Sequence, residues 1–257
     1  MSYSIESITE SIGARRMGNA PATIDWLLTD SRSLNFPEET LFFALTTKRN
    51  DGARYIADLY ARGVRNFVLS EESFRLMDNG QLTIDNAMQR DDAQSIVNYL
   101  IVPNPLKALQ KLAEQHRNRF QIPVIGITGS NGKTVVKEWL HQLLSPERAI
   151  IRSPRSYNSQ IGVPLSVWQM NEQSELAIFE AGISEPGEMR ALQNIIKPTI
   201  GILTNIGGAH QENFFSLQEK CMEKLTLFKN CDVVIYNGDD EFVSNCVAKS
   251  MLSAREI

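Results

Sequence analysis

The 257-residue chain has few of the residues and segments that mark several large classes of protein. It has three cysteines, an odd number without C-x-x-C spacing, which is typical of reduced thiols rather than a disulfide framework. Its three histidines are too scattered to predict a zinc site. It contains no internal repeat and no low-complexity segment. Disulfide scaffolds, zinc modules and repeat proteins are therefore not expected.

Excess charge and long apolar runs are also lacking. The formal net charge is −4, without the basic footprint that is usual for a nucleic-acid-binding protein. Residues 1–16 contain two glutamates and no apolar core of a signal peptide, and no apolar run is long enough to span a bilayer. We therefore expect a cytoplasmic protein without nucleic-acid partners or membrane insertion. Its length and its hydrophobic content of 42% allow two domains.

The strongest positive signal is the glycine-rich segment 126–134, between an apolar run and a helical pattern. Strand, glycine-rich turn and helix is the context that a phosphate-binding loop requires. Backbone N–H groups can then surround phosphate oxygens, and the helix N-terminus adds partial positive charge. We predict that Lys133 binds the terminal phosphates of a nucleoside triphosphate and that the Thr134 hydroxyl binds Mg²⁺. Ile127 stands where the general pattern has glycine, and a purely structural turn is the alternative.

Strand-like runs alternate with helical patterns, which predicts an α/β fold with a parallel sheet and helices on both faces in the second half. Prolines at 103 and 105 indicate a boundary between domains at 1–103 and 104–257. The predicted strands are 27–29, 41–45, 66–69, 99–102, 124–128, 149–152, 176–180, 200–204 and 233–236. The predicted helices include 55–60, 106–120 and 217–228. The helix after the phosphate loop should pack with one apolar face formed by Val135, Val136, Trp139, Leu140, Leu143 and Leu144.

Polar residues follow several predicted strands. Glu180, Asn205 and Asp239 lie at or just past strand ends, where parallel sheets bind ligands, so we expect them near the phosphate loop. A carboxylate ending an apolar strand needs a cation, which predicts Mg²⁺ at Glu180, with a structural ion pair as the alternative. Asp239 and Asp240 are either part of this site or a helix cap. His210 follows a glycine pair after a strand, which favours a functional role.

These segments together resemble the Mur ligase family, the ATP-dependent amide-forming enzymes of peptidoglycan synthesis. The family's T-G-x-N-G-K-T loop stands at 128–134, and its N-x-x-x-G-x-P-L, E-x-G and T-N-x-x-x-A-H-x-E motifs stand at 158–165, 180–182 and 204–212. Asp30, Ser31 and Arg32, with residues 41–45 and 50–52, resemble the UDP-binding domain of the later ligases. Residues 105–120 resemble the start of the ATPase domain of the member that adds D-alanyl-D-alanine.

The resemblance implies a Mg²⁺-dependent ligase that uses ATP, UDP-N-acetylmuramoyl-tripeptide and D-alanyl-D-alanine and proceeds through an acyl phosphate. It implies a small UDP-substrate domain followed by an incomplete P-loop ATPase domain, with the family's third domain absent. One form of this member is fused to an alanine racemase, which is a further arrangement that the resemblance allows. The alternatives are a catalytically inactive nucleotide-binding fragment and a Mur ligase that adds a single amino acid. The Asp-Ser-Arg segment at 30–32 argues against a folate polyglutamate ligase.

The resemblance also implies roles for individual residues. The UDP-substrate candidates are Asp30, Ser31 and Arg32. The nucleotide candidates are Gly129, Ser130, Asn131, Gly132, Lys133, Thr134 and Asn158. Thr134 and Glu180 would hold one Mg²⁺, and His210 would help hold a second. A carbamylated lysine would complete the second site at Lys224, fourteen residues after the histidine, with Lys220 as its competitor. Lys133, Glu180, His210 and Lys224 form the expected catalytic set.

Two departures from the family pattern limit these expectations. Thr46 and Thr47 stand where relatives usually carry Lys-Gly, which leaves the contacts near the UDP site open. Val135 replaces a common Thr or Ser after the loop, so its side chain is not expected to bind phosphate.

Overall fold

The computed structural model describes residues 1–47, 50–78, 96–208 and 211–257. The chain divides into two compact units, Met1–Leu112 and Ala113–Ile257. The predicted boundary after residue 103 falls just before a helix at Pro105–Arg117, and the division between the units lies inside this helix. The domain limits 1–103 and 104–257 therefore stay a prediction.

The first unit is built on a five-stranded sheet in the order β2-β9-β8-β5-β4. All neighbouring strands are parallel except β2, which runs antiparallel to β9. The strands of this unit are β1 (Tyr3–Ser4), β2 (Arg15–Met17), β3 (Thr23–Ile24), β4 (Trp26–Leu28), β5 (Thr40–Phe43), β6 (Thr46–Thr47), β7 (Asn50–Asp51), β8 (Asn66–Ser70) and β9 (Asn98–Val102). Its helices are α1 (Ile5–Ile12), α2 (Ile56–Ala61), α3 (Glu71–Asp78) and the start of α4 (Pro105–Arg117). The four strands predicted here are confirmed to within two residues.

Local sequence explains where these elements begin and end. The Ser4 hydroxyl accepts the Ser7 N–H at the start of α1, and Gly13, with φ of 68°, ends the helix. Ile5, Ile8 and Ile12 recur at helical spacing and are buried. The central strands β5 and β8 are buried along nearly their whole length, as expected for a sheet covered on both faces.

The second unit contains a six-stranded sheet, entirely parallel, in the order β11-β12-β10-β13-β14-β15. Its strands are β10 (Val124–Thr128), β11 (Ile150–Arg152), β12 (Leu176–Glu180), β13 (Ile200–Leu203), β14 (Val233–Ile235) and β15 (Arg255–Glu256). Its helices after α4 are α5 (Lys133–Leu144), α6 (Gly162–Val167), α7 (Glu188–Ile196), α8 (Leu217–Leu225) and α9 (Glu241–Ser250). The prediction of a parallel sheet in this half is confirmed.

Alternate residues of each strand point to opposite faces of this sheet. On β12, Ala177 and Phe179 join the larger core with α6, α7 and α8, whereas Leu176 and Ile178 pack in a smaller cluster with Val136 and other residues of α5. Helices therefore cover both faces, as predicted. Glu180 shares the strand parity of Leu176 and Ile178, which directs its side chain toward α5.

Helix α4 ends at Arg117 rather than continuing to residue 120. The buried Arg117 guanidinium donates to the carbonyls of Ile196, at 2.9 Å, and of Lys197 and Phe120, so it anchors the chain where α4 and α7 end. His116 is also buried, and its Nε2 lies 3.0 Å from the Met170 carbonyl oxygen. Because these contacts hold the fold, we assign both residues a structural role.

The face predicted for α5 is partly wrong. Val136, Leu140 and Leu144 pack against the sheet, but Trp139 and Leu143 are 63% and 74% exposed, and Val135 is half exposed. The inward face is centred on Lys137, about a quarter of a turn from the apolar face read from the sequence. No helix within the described ranges is long and apolar enough to cross a membrane.

Candidate active site

The glycine-rich loop joins β10 to α5 at the carboxyl edge of the parallel sheet. Gly129 has φ of 144° and Gly132 has φ of 79°, a backbone region that side chains disfavour. A Cβ atom at Gly129 would lie 2.0 Å from Thr204 Oγ1, so the close approach of the two loops also requires glycine there. The loop thus delivers backbone N–H groups to the N-terminus of α5, the arrangement that binds phosphate.

The segment after β13 forms a second wall beside this loop. The Ser130 N–H donates to the Asn205 carbonyl at 2.9 Å, and the Asn131 N–H donates to Asn205 Oδ1 at 2.9 Å. The Gly207 N–H donates to Ser130 Oγ at 2.8 Å. Asn205 therefore meets the phosphate loop, as its position past a strand end predicted.

Lys133 begins α5, and its side chain folds back over the loop. Its ammonium donates to the Gly129 carbonyl at 2.8 Å. Burial lowers the pKa of Lys133; the nearby Lys220 adds to this decrease and Glu180 opposes it. An ammonium held by neutral carbonyls keeps its charge available to an anion at the loop.

Glu180 ends β12, is fully buried, and its two carboxylate oxygens have different partners. Oε2 accepts the Thr134 hydroxyl at 3.1 Å and lies 3.4 Å from the Asn158 side-chain amide. Oε1 forms an ion pair with the Lys137 ammonium at 2.9 Å. The structure thus contains the ion pair that the sequence left as an alternative, and it also turns the other oxygen toward Thr134.

Two further buried lysines reach the same loops from α8. Lys220 Nζ donates to the Gly207 carbonyl at 2.6 Å, and Lys224 Nζ donates to the Gly129 carbonyl at 3.2 Å. Burial, together with the nearby charges of Lys133 and Lys220, lowers the pKa of Lys224 to about 8. His210, which was predicted beside them, lies outside the described residues.

The acidic pair after β14 has local partners. The Asp239 N–H donates to Asn237 Oδ1 at 3.1 Å, and the Asp240 carboxylate accepts the Val243 N–H at the start of α9. Asp240 is therefore the helix cap that the sequence offered as one of two roles. Asp239 contributes to the turn before that cap.

Asp30, Ser31 and Arg32 lie in the first unit on a short 3-10 helix, Ser31–Ser33. The Asp30 carboxylate accepts the Arg32 N–H and pairs with the Arg32 guanidinium at 2.6 Å, which holds the pKa of Asp30 below its usual value. Arg62 donates to the Ser31 carbonyl at 2.8 Å. This segment is a surface feature, with the Arg32 side chain 87% exposed.

Sequence reasoning missed Lys137. It lies three residues after Thr134 and four after Lys133, spacings that place residues on one side of a helix, so a search along that side would have found it. The apolar pattern drew attention to Val135 and Trp139 instead.

The donor set near the phosphate loop suits a hard cation. In the described ranges, no three His, Cys, Asp or Glu side chains are grouped so that they could bind a metal by themselves. Mg²⁺ takes oxygen ligands and keeps several waters, so one carboxylate and one hydroxyl are sufficient protein ligands beside a phosphate. Glu180 Oε2 and Thr134 Oγ1 supply that pair.

The fold and this site define a P-loop nucleotide-binding α/β protein. The Mur ligase middle domain matches residues 127–255, half of the chain, and the protein therefore belongs to the Mur ligase family. The chain is 32% identical over 227 residues to the UDP-N-acetylmuramoyl-tripeptide–D-alanyl-D-alanine ligase of Borreliella burgdorferi, covering 87% of this chain and 47% of that protein. It is 30% identical to the ligase of the same name from Bacillus subtilis, covering 86% of this chain and 45% of that protein.

Solved structures support the same fold. MurF from Acinetobacter baumannii superposes with a TM-score of 0.83 at 23% identity, over all of this chain and 53% of the other. The MurF ligase of Thermotoga maritima in complex with ADP gives a TM-score of 0.71 at 24% identity, over 90% of this chain and 49% of the other. The chain thus spans about half the length of the curated relatives it matches.

Proposed function

We propose that this chain carries the UDP-substrate and nucleotide-binding parts of an ATP-dependent ligase that joins D-alanyl-D-alanine to UDP-N-acetylmuramoyl-tripeptide in the cytoplasm. The observation that carries the proposal is the Thr134–Glu180 contact beside the phosphate loop, in a chain that is 32% identical to a ligase of that name. A fused alanine racemase remains part of the proposal, and the gene sequence downstream would test it.

The nucleotide would bind with its phosphates over the N-terminus of α5. Backbone N–H groups of the loop around Gly129 and Gly132 and the Lys133 ammonium would contact the phosphate oxygens. Asn158, beside Glu180, would complete the nucleotide site. In this arrangement the chain's own groups position the phosphates and neutralise their charge, which is most of what phosphoryl transfer to a carboxylate requires.

Mg²⁺, when bound, would supply Lewis-acid stabilisation of phosphate charge. Thr134 Oγ1 and Glu180 Oε2 would hold it, since they are 3.1 Å apart and Thr134 directly follows the loop lysine. Lys137 occupies the other carboxylate oxygen, so Glu180 would offer one oxygen to this cation.

We infer a second cation position from Lys224, with His210 assigned to it by motif position alone. A lysine must lose its proton before it reacts with carbon dioxide, and Lys224 has a pKa of about 8 because it is buried among other cations. Carbamylation would turn this cation into an oxygen ligand suited to Mg²⁺. Lys220 is the competitor: its ammonium donates to the Gly207 carbonyl, and the residue is as deeply buried as Lys224.

The UDP portion of the substrate would bind at Asp30, Ser31 and Arg32 in the first unit. This assignment rests on the family motif and on the exposure of Arg32, whose guanidinium is available to a diphosphate while Asp30 orients it. An isothermal titration with UDP, comparing the parent with Arg32→Ala, tests it.

Phosphate release from ATP and Mg²⁺ tests the proposed reaction, with UDP-N-acetylmuramoyl-tripeptide and D-alanyl-D-alanine each omitted in turn. Release that requires both substrates, with formation of the amide product, supports ligation. Lys133→Met should abolish release, whereas Lys229→Met changes an exposed lysine and should not. Failure to bind ATP or the UDP-substrate at all would contradict the proposal; binding without release favours the inactive nucleotide-binding fragment.

Carbamylation is tested separately by ¹³C NMR of protein incubated with ¹³C-bicarbonate. We expect one carbamate signal that Lys224→Met removes and Lys220→Met retains. The reverse pattern would assign the modified lysine to Lys220.

A further inference from the structure

Lys137 is a fully buried cation that the reaction proposed above does not use. It lies at the centre of the inward face of α5, where an apolar side chain would be expected. Its ammonium forms the 2.9 Å ion pair with Glu180 and donates to the carbonyls of Ser153, at 2.8 Å, and of Arg155. The Glu138 carboxylate, on the same helix, also pairs with the Lys137 ammonium, at 3.2 Å.

Fold stability alone does not explain this arrangement. Removing two charges from water is costly, and replacing a buried ion pair with apolar residues is often neutral or stabilising. The neighbours Leu140 and Leu144 show that this face of α5 packs with aliphatic side chains. The contacts that the ion pair makes with its partners offer a further explanation.

The pair places a positive charge against one side of the Glu180 carboxylate. With Oε1 held by Lys137, the other oxygen is the one that meets Thr134 at 3.1 Å and Asn158 at 3.4 Å. Without Lys137, rotation of the carboxylate group would no longer be restricted by a charged partner on one side.

The same ammonium also holds the segment between β11 and Asn158. Arg155 has φ of 50°, a left-handed conformation that is unfavourable for a residue with a side chain, and its carbonyl accepts from Lys137. Lys137 thus joins the helix that follows the phosphate loop, the strand end at Glu180 and the segment that leads to Asn158.

We propose that Lys137 is a positioning residue of the cation site: it orients Glu180 so that one oxygen faces Thr134, and it fixes the segment that carries Asn158. The inference rests on the proposed function, because it assigns Glu180 Oε2 and Thr134 Oγ1 to a divalent cation bound with nucleotide. Partners that orient metal ligands typically change metal affinity about 10- to 100-fold when they are removed.

The test uses the whole chain, with Mn²⁺ as the probe and ADP as the nucleotide. Electron paramagnetic resonance gives the Mn²⁺ affinity of the ADP complex and the spectrum of the bound ion. Titration calorimetry without metal gives the affinity for ADP alone. We expect Lys137→Met to weaken Mn²⁺ binding about 10- to 100-fold and to alter the spectrum, with metal-free ADP affinity unchanged.

Lys137→Gln is the second variant, because its amide keeps hydrogen-bond donors but carries no charge, so it cannot form the ion pair. It should lose Mn²⁺ affinity like Lys137→Met, and it keeps the test available if the methionine variant does not fold. Arg117→Met is the matched control: it removes another buried cation that holds backbone carbonyls in this unit, far from Glu180 along the chain. It should lower the thermal unfolding temperature and leave Mn²⁺ affinity unchanged.

The outcomes separate the inference from the function on which it rests. If Lys137→Gln or Lys137→Met binds Mn²⁺ with ADP as the parent does, the inference is wrong and the proposed function stands. An equal loss of Mn²⁺ affinity in Arg117→Met would show a general effect of destabilisation and would also overturn the inference. If the parent binds no Mn²⁺ with ADP, the proposed function fails, and the inference with it.

Discussion

Acidification should destabilise the second unit through His116. Burial lowers the pKa of this histidine to about 4, with a smaller contribution from Arg119, whereas an unfolded histidine has a pKa of about 6.5. Between these two values the unfolded chain binds a proton that the folded chain does not. Stability is therefore fully present above about pH 6.5 and falls as the pH decreases toward about 4.

The two pKa values give the magnitude. Their difference is about 2.5 units, and each unit corresponds to about 1.4 kcal/mol, so the complete effect is about 3 kcal/mol. About 2.5 kcal/mol of it should already be lost at about pH 4.5. The buried surroundings explain the size: the His116 ring packs edge-on against Phe120 and at a tilt against Trp168, with ring centroids 5.1 and 4.8 Å away.

Urea unfolding followed by circular dichroism between about pH 7 and about pH 4.5 measures this loss. Carboxylates titrate in the same range, so the parent is compared with His116→Phe, which keeps the aromatic packing and cannot bind a proton. The variant also loses the contact with the Met170 carbonyl, but this lowers its stability by the same amount at every pH. It therefore does not affect the difference in pH dependence between the two proteins. Parallel stability curves for the two proteins would refute the assignment of the pH dependence to His116.

Three other predictions concern the sites. Gly129→Ala should weaken ADP binding more than about tenfold in calorimetry, because its Cβ would lie 2.0 Å from Thr204 Oγ1. Gly238→Ala is the control, since the space around Gly238 is open, and it should bind ADP as the parent does. Equal ADP affinities of the two variants would contradict the loop geometry. Chelation of Mg²⁺ with EDTA should weaken ATP binding. It should leave the unfolding temperature of the ligand-free chain unchanged, because Lys137 already neutralises Glu180. A lower unfolding temperature in EDTA would indicate a structural metal. Arg32→Ala should weaken UDP binding with little change in unfolding temperature, because Arg32 is largely exposed; unchanged UDP affinity would exclude it from the site.

Much of the fold could be predicted because it depends on local sequence. Most strands of the two sheets are short apolar runs bounded by turns, and the structure confirms each predicted strand within two residues. The strands β2 (Arg15–Met17) and β15 (Arg255–Glu256) lack such a run and were not predicted. The helix 106–120 was predicted too long: it ends at Arg117, whose side chain reaches the carbonyls of Ile196 and Lys197, about eighty residues away. Such long-range contacts leave no periodic signal in the sequence.

The sequence by itself determined the phosphate loop, because Gly129 and Gly132 must adopt backbone angles that other residues disfavour, and it determined that Glu180 ends a buried strand. Only the tertiary structure decided which face of α5 turns inward. The apolar pattern favoured Val135 and Trp139, but α5 lies over the strand that ends in Glu180. Lys137 therefore lies inward, where it pairs with the buried Glu180 carboxylate, and Trp139 lies on the exposed side of the helix.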